Sequence, residues 1–281
     1  MIPAPDVSGM MIVPHVKDDI QSLAKYLKSH PDDSEKWYRL GAAYLALGSI
    51  KDAEKAFKEC LRLDKDNSLA MGELGALYIL KGRLKEAVRT LKKCVEVSPD
   101  NHEYWSALGV AHLQRGKFKD AIEAFDNSLA IKPDFYEAIV SLGQTYLRME
   151  SWDDAARTLT IAKNAFPDDY EVLKALAKSL MRLKRTKELE MVYLRMRELN
   201  PGDHSLLLYL GQIAFKDGRT EEGLDYYNRA IEIDPKSPMA WKVLAEALQA
   251  LGRMEEAKKA RDNYKSRMEY LKRKQKMVGP I

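Results

Sequence analysis

The chain rewrites itself every 34 residues, and a fixed interval of that length admits few folds. Units begin at Ser34, Ser68, His102, Tyr136, Tyr170, His204 and Pro238, with no insertion between them. Numbering each unit from its first residue, position 7 is Leu40, Leu74, Leu108, Leu142, Leu176, Leu210 and Leu244, and position 8 is Gly41, Gly75, Gly109, Gly143, Ala177, Gly211 and Ala245. Position 20 is Ala53, Ala87, Ala121, Ala155, Leu189, Gly223 and Ala257, and position 24 is Phe57, Leu91, Phe125, Leu159, Tyr193, Tyr227 and Arg261. Small residues at position 20 let two helices approach closely, where a large side chain would overpack the contact. Repetition at this interval implies a stack in which each unit buries its apolar face against its neighbours.

The unit at residues 102–135 shows what is stacked. Trp105, Leu108, Gly109 and His112 share one face of a first helix, and Phe118, Ala121, Phe125 and Ser128 share one face of a second. Gly116 separates the two and Pro133 ends the unit. Gly48, Gly82, Gly218 and Gly252 recur at the same turn, with Glu150 and Lys184 in their place in units four and five; Pro99, Pro167, Pro201 and Pro235 recur at the end, with Lys65 after the first unit. No strand-like alternation stands out, so the class is all-α.

These positions resemble the tetratricopeptide repeat (TPR), whose pattern is Trp, Leu-Gly, Tyr, then Ala, Phe, Ala and Pro over 34 residues. The resemblance covers about 240 residues and implies a right-handed α-solenoid superhelix with repeats over residues 34–253. Residues 18–33 are expected to form a half-repeat helix, from Asp18 to Ser29, that caps the open end through Ile20, Leu23, Ala24 and Leu27; Pro31 stops it. Residues 254–281 should end the seventh repeat and run on as a basic capping helix with Ala257, Tyr264, Met268 and Leu271 as its apolar stripe, followed by a frayed tail from Met277. Residues 1–17 are expected to be loosely ordered, with Met10, Met11, Ile12 and Val13 as their one sticky patch.

Composition excludes several function classes. The 46 basic and 42 acidic residues balance to +4, too even to imply nucleic acid. The excess is concentrated between Lys258 and Lys276, where nine basic residues face two acidic ones, a net of +7. Cys60 and Cys94 occupy one repeat position in neighbouring units, so their helices should stand about 8–10 Å apart or more, beyond the ~7 Å that a disulfide spans; two buried free thiols are expected. No signal peptide or membrane-length apolar run is read, which favours the cytoplasm, and membrane and nucleic-acid partners are not expected.

A search for chemistry is negative. His15, His30, His102, His112 and His204 are scattered without metal-ligand spacing, and His112 fills the column where the family has Tyr. The glycines follow the repeat rather than clustering around a phosphate, and no nucleophile motif is present. Asp32, Asp33, Asp168 and Asp169 fall at helix starts, where carboxylates offset the helix dipole. No enzyme, cofactor or metal is expected.

Function is then expected on a surface. If positions 4, 7, 8 and 11 face the core, positions 2, 5, 9, 12 and 13 form an adjoining stripe, which in the family lines a concave, peptide-gripping groove. Its early part here is Tyr38, Ala42, Leu45, Leu69, Gly72, Ala76 and Ile79; its later part is Arg148, Lys174, Lys178, Arg182 and Lys216, with Gln144 and Gln212 between. An apolar trough leading to a basic clamp suits a protein or peptide with a hydrophobic and an acidic segment. The chaperone-receptor clamp of the family is not reproduced: Lys174 fits its first position, while Lys178, Tyr209, Met239 and Val243 depart from the rest. Two other readings remain open at this point: a self-assembling scaffold that docks residues 10–13 in a neighbour's trough, and attachment to a polyanion through the basic terminal helix.

Overall fold

The structure, a computed structural model, describes residues 13–278, and every element among them is an α-helix. The chain divides between Met149 and Glu150 into two compact units, so the boundary falls inside the fourth repeat, between its two helices. The first unit holds α1 (Val13–Ser29), α2 (Ser34–Ala46), α3 (Ile50–Leu63), α4 (Ser68–Leu80), α5 (Leu84–Val97), α6 (His102–Gln114), α7 (Phe118–Ile131) and α8 (Tyr136–Arg148). The second holds α9 (Trp152–Ala165), α10 (Tyr170–Leu183), α11 (Thr186–Leu199), α12 (His204–Lys216), α13 (Thr220–Ile233), α14 (Pro238–Ala250) and α15 (Met254–Val278).

Local chemistry sets these boundaries. In five of the seven repeats the residue before the first helix accepts a backbone N–H with its side chain: Asp33 from Lys36, Asn67 from Ala70, Asn101 from Glu103 and Tyr104, Asp169 from Val172, Asp203 from Ser205. Asp33 and Asp169 therefore act as hydrogen-bonding caps as well as charges, and Asp168 pairs with Arg195. Each turn between paired helices needs a left-handed residue, which Gly adopts without a Cβ clash; Lys184 and Glu150 carry side chains there, both at φ +58°.

Packing repeats with the sequence. A Cβ at Gly41, Gly75, Gly109 or Gly211 would lie 2.5–2.6 Å from Phe57, Leu91, Phe125 or Tyr227, so the position-24 side chain seats directly on the position-8 glycine. Three repeats carry Trp at position 4, and each indole N–H donates to the carbonyl of the proline six residues earlier: Trp37 to Pro31 at 2.9 Å, Trp105 to Pro99 at 2.7 Å, Trp241 to Pro235 at 3.0 Å. A Trp and a Pro that look like separate consensus marks thus form one tie between a repeat and the segment preceding it. Glu54 makes another such tie. Its buried carboxylate accepts from Lys58 at 2.7 Å and Arg83 at 2.8 Å, and from Lys81, joining α3 to the turn after α4. Burial pushes its pKa up, but the hydrogen bonds from Lys58, Lys81 and Arg83 outweigh that and bring it to about 2.

The ends follow the same logic with differences. Helix α1 starts at Val13 rather than Asp18; Leu27 is buried, and Ile20 and Leu23 pack with it on Leu40 and Ala56. In α15, Ala257 and Ala260 are buried and Tyr264 and Met268 half-buried, but Leu271 is 40% exposed. The expected stripe therefore stops at Met268, and Arg267 takes over part of its role, lying 5.3 Å over Trp241 and donating to the Pro235 carbonyl at 3.2 Å. The helix continues through Met277 to Val278, where a tail was expected. Of residues 10–13, on which the self-assembly reading rests, 10–12 lie outside the described residues and Val13 opens α1.

Cys60 and Cys94 are free and fully buried. Burial pushes their thiols up to about 11 and about 12, which leaves both as inert packing groups. The Cys94 thiol donates to the Ser68 carbonyl at 3.2 Å, and one repeat later Ser128 donates to the His102 carbonyl at 2.7 Å. Ser128 thus does in its repeat what Cys94 does in the one before, while the later repeats carry Ala162, Met196 and Ala230 at this position. No helix among the described residues is long and apolar enough to cross a membrane, and none of their His, Cys, Asp and Glu side chains form a group of three placed to hold a metal.

Candidate functional site

In the first unit the stripe is only partly open. Tyr38, Leu45 and Ile79 are half-buried against a core that includes Phe57, Leu74 and Leu91, and Ala42 is also half-buried. The Tyr104 ring covers Gly72, where a Cβ would meet it at 2.5 Å. Leu69 and Ala76 are exposed, and so is Leu80, at 71% the most exposed large apolar side chain described. Glu73 stands half-buried beside this stripe; burial, and then Glu103, push its carboxyl up. Gln144 is exposed. Arg148 is tied down: its guanidinium lies 5.3 Å over the Phe118 ring and donates to the Leu113 carbonyl at 3.3 Å.

In the second unit the expected cations divide. Lys174 is exposed and sits 3.6 Å from Glu171. Lys178 is exposed and has no ion-pair partner among the described residues. Arg182, like Arg148, lies over an aromatic ring, that of Trp152 at 5.5 Å. Trp152 and Phe118 share position 17 of their repeats, and Arg182 and Arg148 share position 13 of the following ones. The two arginines are therefore lids clamped on rings, which makes them parts of the scaffold more than free charges.

One repeat further on the lid is missing. Position 17 is Thr186 and position 13 is Lys216, and both line an open hollow of 440 Å³ together with Met181, Lys184, Leu189, Tyr193, Tyr209, Gln212 and Ile213. The same repeat replaces the position-8 glycine with Ala177. At the equivalent glycines a Cβ would strike the position-24 side chain, so Ala177 denies Tyr193 that seat. Tyr193 instead stacks on Tyr209 with ring centroids 5.2 Å apart and planes 16° from parallel. Burial, and then Tyr209, push the Tyr193 hydroxyl up to about 12, so it stays neutral. Met181 and Tyr209 remain 48% and 45% exposed at the mouth.

A family model described as the cytochrome c-type biogenesis protein H TPR domain matches residues 16–134, and a tetratricopeptide repeat model matches residues 112–180 and 214–262. The chain is a tetratricopeptide repeat protein. A tetratricopeptide repeat protein from Parabacteroides merdae ATCC 43184 is similar with a TM-score of 0.56 and 14% identity, over 83% of this chain and 92% of that one. MamA of AMB-1 is similar at 0.53 and 24%, over 62% of this chain and 95% of that one. The APC/C hetero-tetramer Cut9-Hcn1 gives 0.51 and 16% over 83% of this chain, which spans 46% of that chain's length. At these identities the likeness is one of fold. No curated protein matches the sequence.

Within the TPR framework, the pocket gathers two of the residues named from the stripe, Gln212 and Lys216, and leaves Lys174 and Lys178 outside its lining. Met181 falls on a stripe position, yet stripe position alone does not single it out. Thr186, Leu189, Tyr193 and Tyr209 lie off the stripe. What marks the place in the sequence is the set of column breaks in repeat five: Ala177 for Gly, Lys184 for Gly and Leu189 for Ala.

Proposed function

We propose that this TPR protein is a non-enzymatic scaffold that binds a partner protein, and that the hollow between α10, α11 and α12 is where its second unit grips that partner. The observation that carries this reading is a 440 Å³ hollow with an apolar floor, with Met181 and Tyr209 open at its mouth, in the repeat that follows the one covered by Arg182 on Trp152. Small concave sites with an apolar floor and a few polar groups are the usual form of a recognition pocket. Lys174, Lys178 and Met181 follow one another at helical spacing along α10, so the two lysines continue the pocket's rim. The test is capture of partners by the intact protein and by Thr186→Trp, which puts a ring beneath Lys216 and fills the hollow. Loss of a partner held by the unaltered chain is expected. Retention of every partner at full affinity by Thr186→Trp sinks the reading, and the same outcome for Lys174→Glu with Lys178→Glu removes the rim from it.

A second reading rests on α15, where Lys258, Lys259, Arg261, Lys265, Lys272, Arg273 and Lys274 are all exposed. Such a helix attracts polyanions, with an affinity that falls steeply with salt. Unchanged retention on heparin after deletion of residues 265–281 counts against it.

A further inference from the structure

We infer that the pocket between α10, α11 and α12 takes an aromatic side chain presented by an internal acidic segment of the partner. The inference rests on the reading of this hollow as the docking site and adds the chemistry of what enters it.

The apolar part of the pocket is built on a ring stack. Tyr209 is held against Tyr193 on one side yet remains 45% exposed, so its open surface continues the stack into the hollow. An aromatic ring entering there gains an offset stacking partner as well as apolar burial. Met181, 48% exposed at the same mouth, offers a thioether, which favours ring edges over aliphatic groups. Leu189 and Ile213 complete the apolar lining.

The charged half is Lys184 with Lys216. Both line the pocket, and neither has an ion-pair partner among the described residues. Lys184 also stands at φ +58°, ψ +28°, where five other turns use Gly. A lysine gains nothing there as a turn residue and carries the strain of a left-handed side-chain-bearing position. The two ammonium groups come from the C-terminal ends of two different helices, α10 and α12, so they suit two separate carboxylates along a chain better than one terminal carboxylate. Acidic side chains on either side of the aromatic residue supply that arrangement.

The experiment uses the full chain and a fluorescein-labelled peptide, blocked at both ends, with one central Trp flanked by Asp and Glu. Binding is read by anisotropy at low and high salt. The unaltered chain is expected to bind it, to bind the same peptide with Ala in place of Trp about tenfold more weakly, and to lose affinity as salt rises. Lys184→Gly is expected to weaken binding about fivefold while raising the unfolding temperature, since it removes a charge and relieves the strained turn. Thr186→Trp is expected to abolish binding, and Lys184→Gly keeps the test sound should that variant fold poorly. Equal binding of the Ala and Trp peptides, or Lys184→Gly binding at full strength, overturns the inference. So does tighter binding of a peptide whose acids are present only as a free carboxyl terminus. Should the blocked peptide fail to bind while Thr186→Trp still loses a captured partner, the ligand chemistry is wrong and the docking site stands. Should Thr186→Trp keep every partner, the docking reading itself falls.

Discussion

The guanidinium of Arg182 lies 5.5 Å over the ring of Trp152, whereas one repeat on the same two positions hold Lys216 and Thr186 and line an open hollow. Trp152 is half-buried, so its removal takes away both apolar contact and the cation–π partner of Arg182. Trp152→Ala is expected to destabilise the protein by about 2 kcal/mol. Urea unfolding followed by circular dichroism measures this, and a change within error would mean that the lid contributes nothing to stability.

Gly109 has no room for a methyl group. A Cβ there would stand 2.5 Å from Phe125, which is itself fully buried and has nowhere to retreat. Gly109→Ala is therefore expected to cost roughly 1–3 kcal/mol through overpacking, despite the better helix propensity of Ala. A thermal midpoint equal to or above that of the unaltered protein would contradict this.

Glu54 links pH to stability at the acid end. Its folded pKa, about 2, lies below the ordinary 4.5, because the bonds from Lys58, Lys81 and Arg83 overcome the effect of burial. A depressed carboxylate contributes stability that is complete above the unfolded pKa and is lost as pH falls through the folded one. The loss due to Glu54 is thus expected between about pH 4.5 and pH 2. Glu54→Gln is expected to lower stability at neutral pH by roughly 2 kcal/mol and to flatten the pH dependence in that window. Denaturant titrations at several pH values read both effects.

His112 acts in a different window. It is 4% exposed, its Nδ1 stands 3.5 Å from an Asp120 carboxylate oxygen, and burial holds its pKa below the ordinary 6.5 against the pull of Asp120. The unfolded chain takes up that proton more readily than the folded one, so stability is full above pH 6.5 and declines as pH falls below it toward the folded value. His112→Tyr, which restores the residue of Tyr44, Tyr78 and Tyr146 in the same column, is expected to remove this decline. Midpoints compared between pH 7.5 and 5.5 would show a smaller drop for the variant than for the unaltered protein, and an equal drop would exonerate His112.

The repeat, its two helices and the turn glycines were legible in the sequence, because helix and turn signals depend on residues close together along the chain. Pro31 and Gly48 punctuate the chain wherever tertiary contacts fall. The groove was legible only as a set of positions. Stripe position does not say whether a side chain is free: Tyr38, Leu45 and Ile79 are half absorbed by the core, and Arg148 and Arg182 are held on rings that lie a whole repeat away in sequence.

By itself the sequence determined a tetratricopeptide array and pointed to repeat five as the unit that breaks its columns. Tertiary structure decided what those breaks amount to: a displaced Tyr193, a ring stack with Tyr209 and a hollow without a lid. The reason is one of range. Periodicity and turn chemistry act between neighbours along the chain, whereas a pocket is defined by what is missing between side chains of adjacent helices, and an absence of contact leaves no pattern along the chain until those helices are packed.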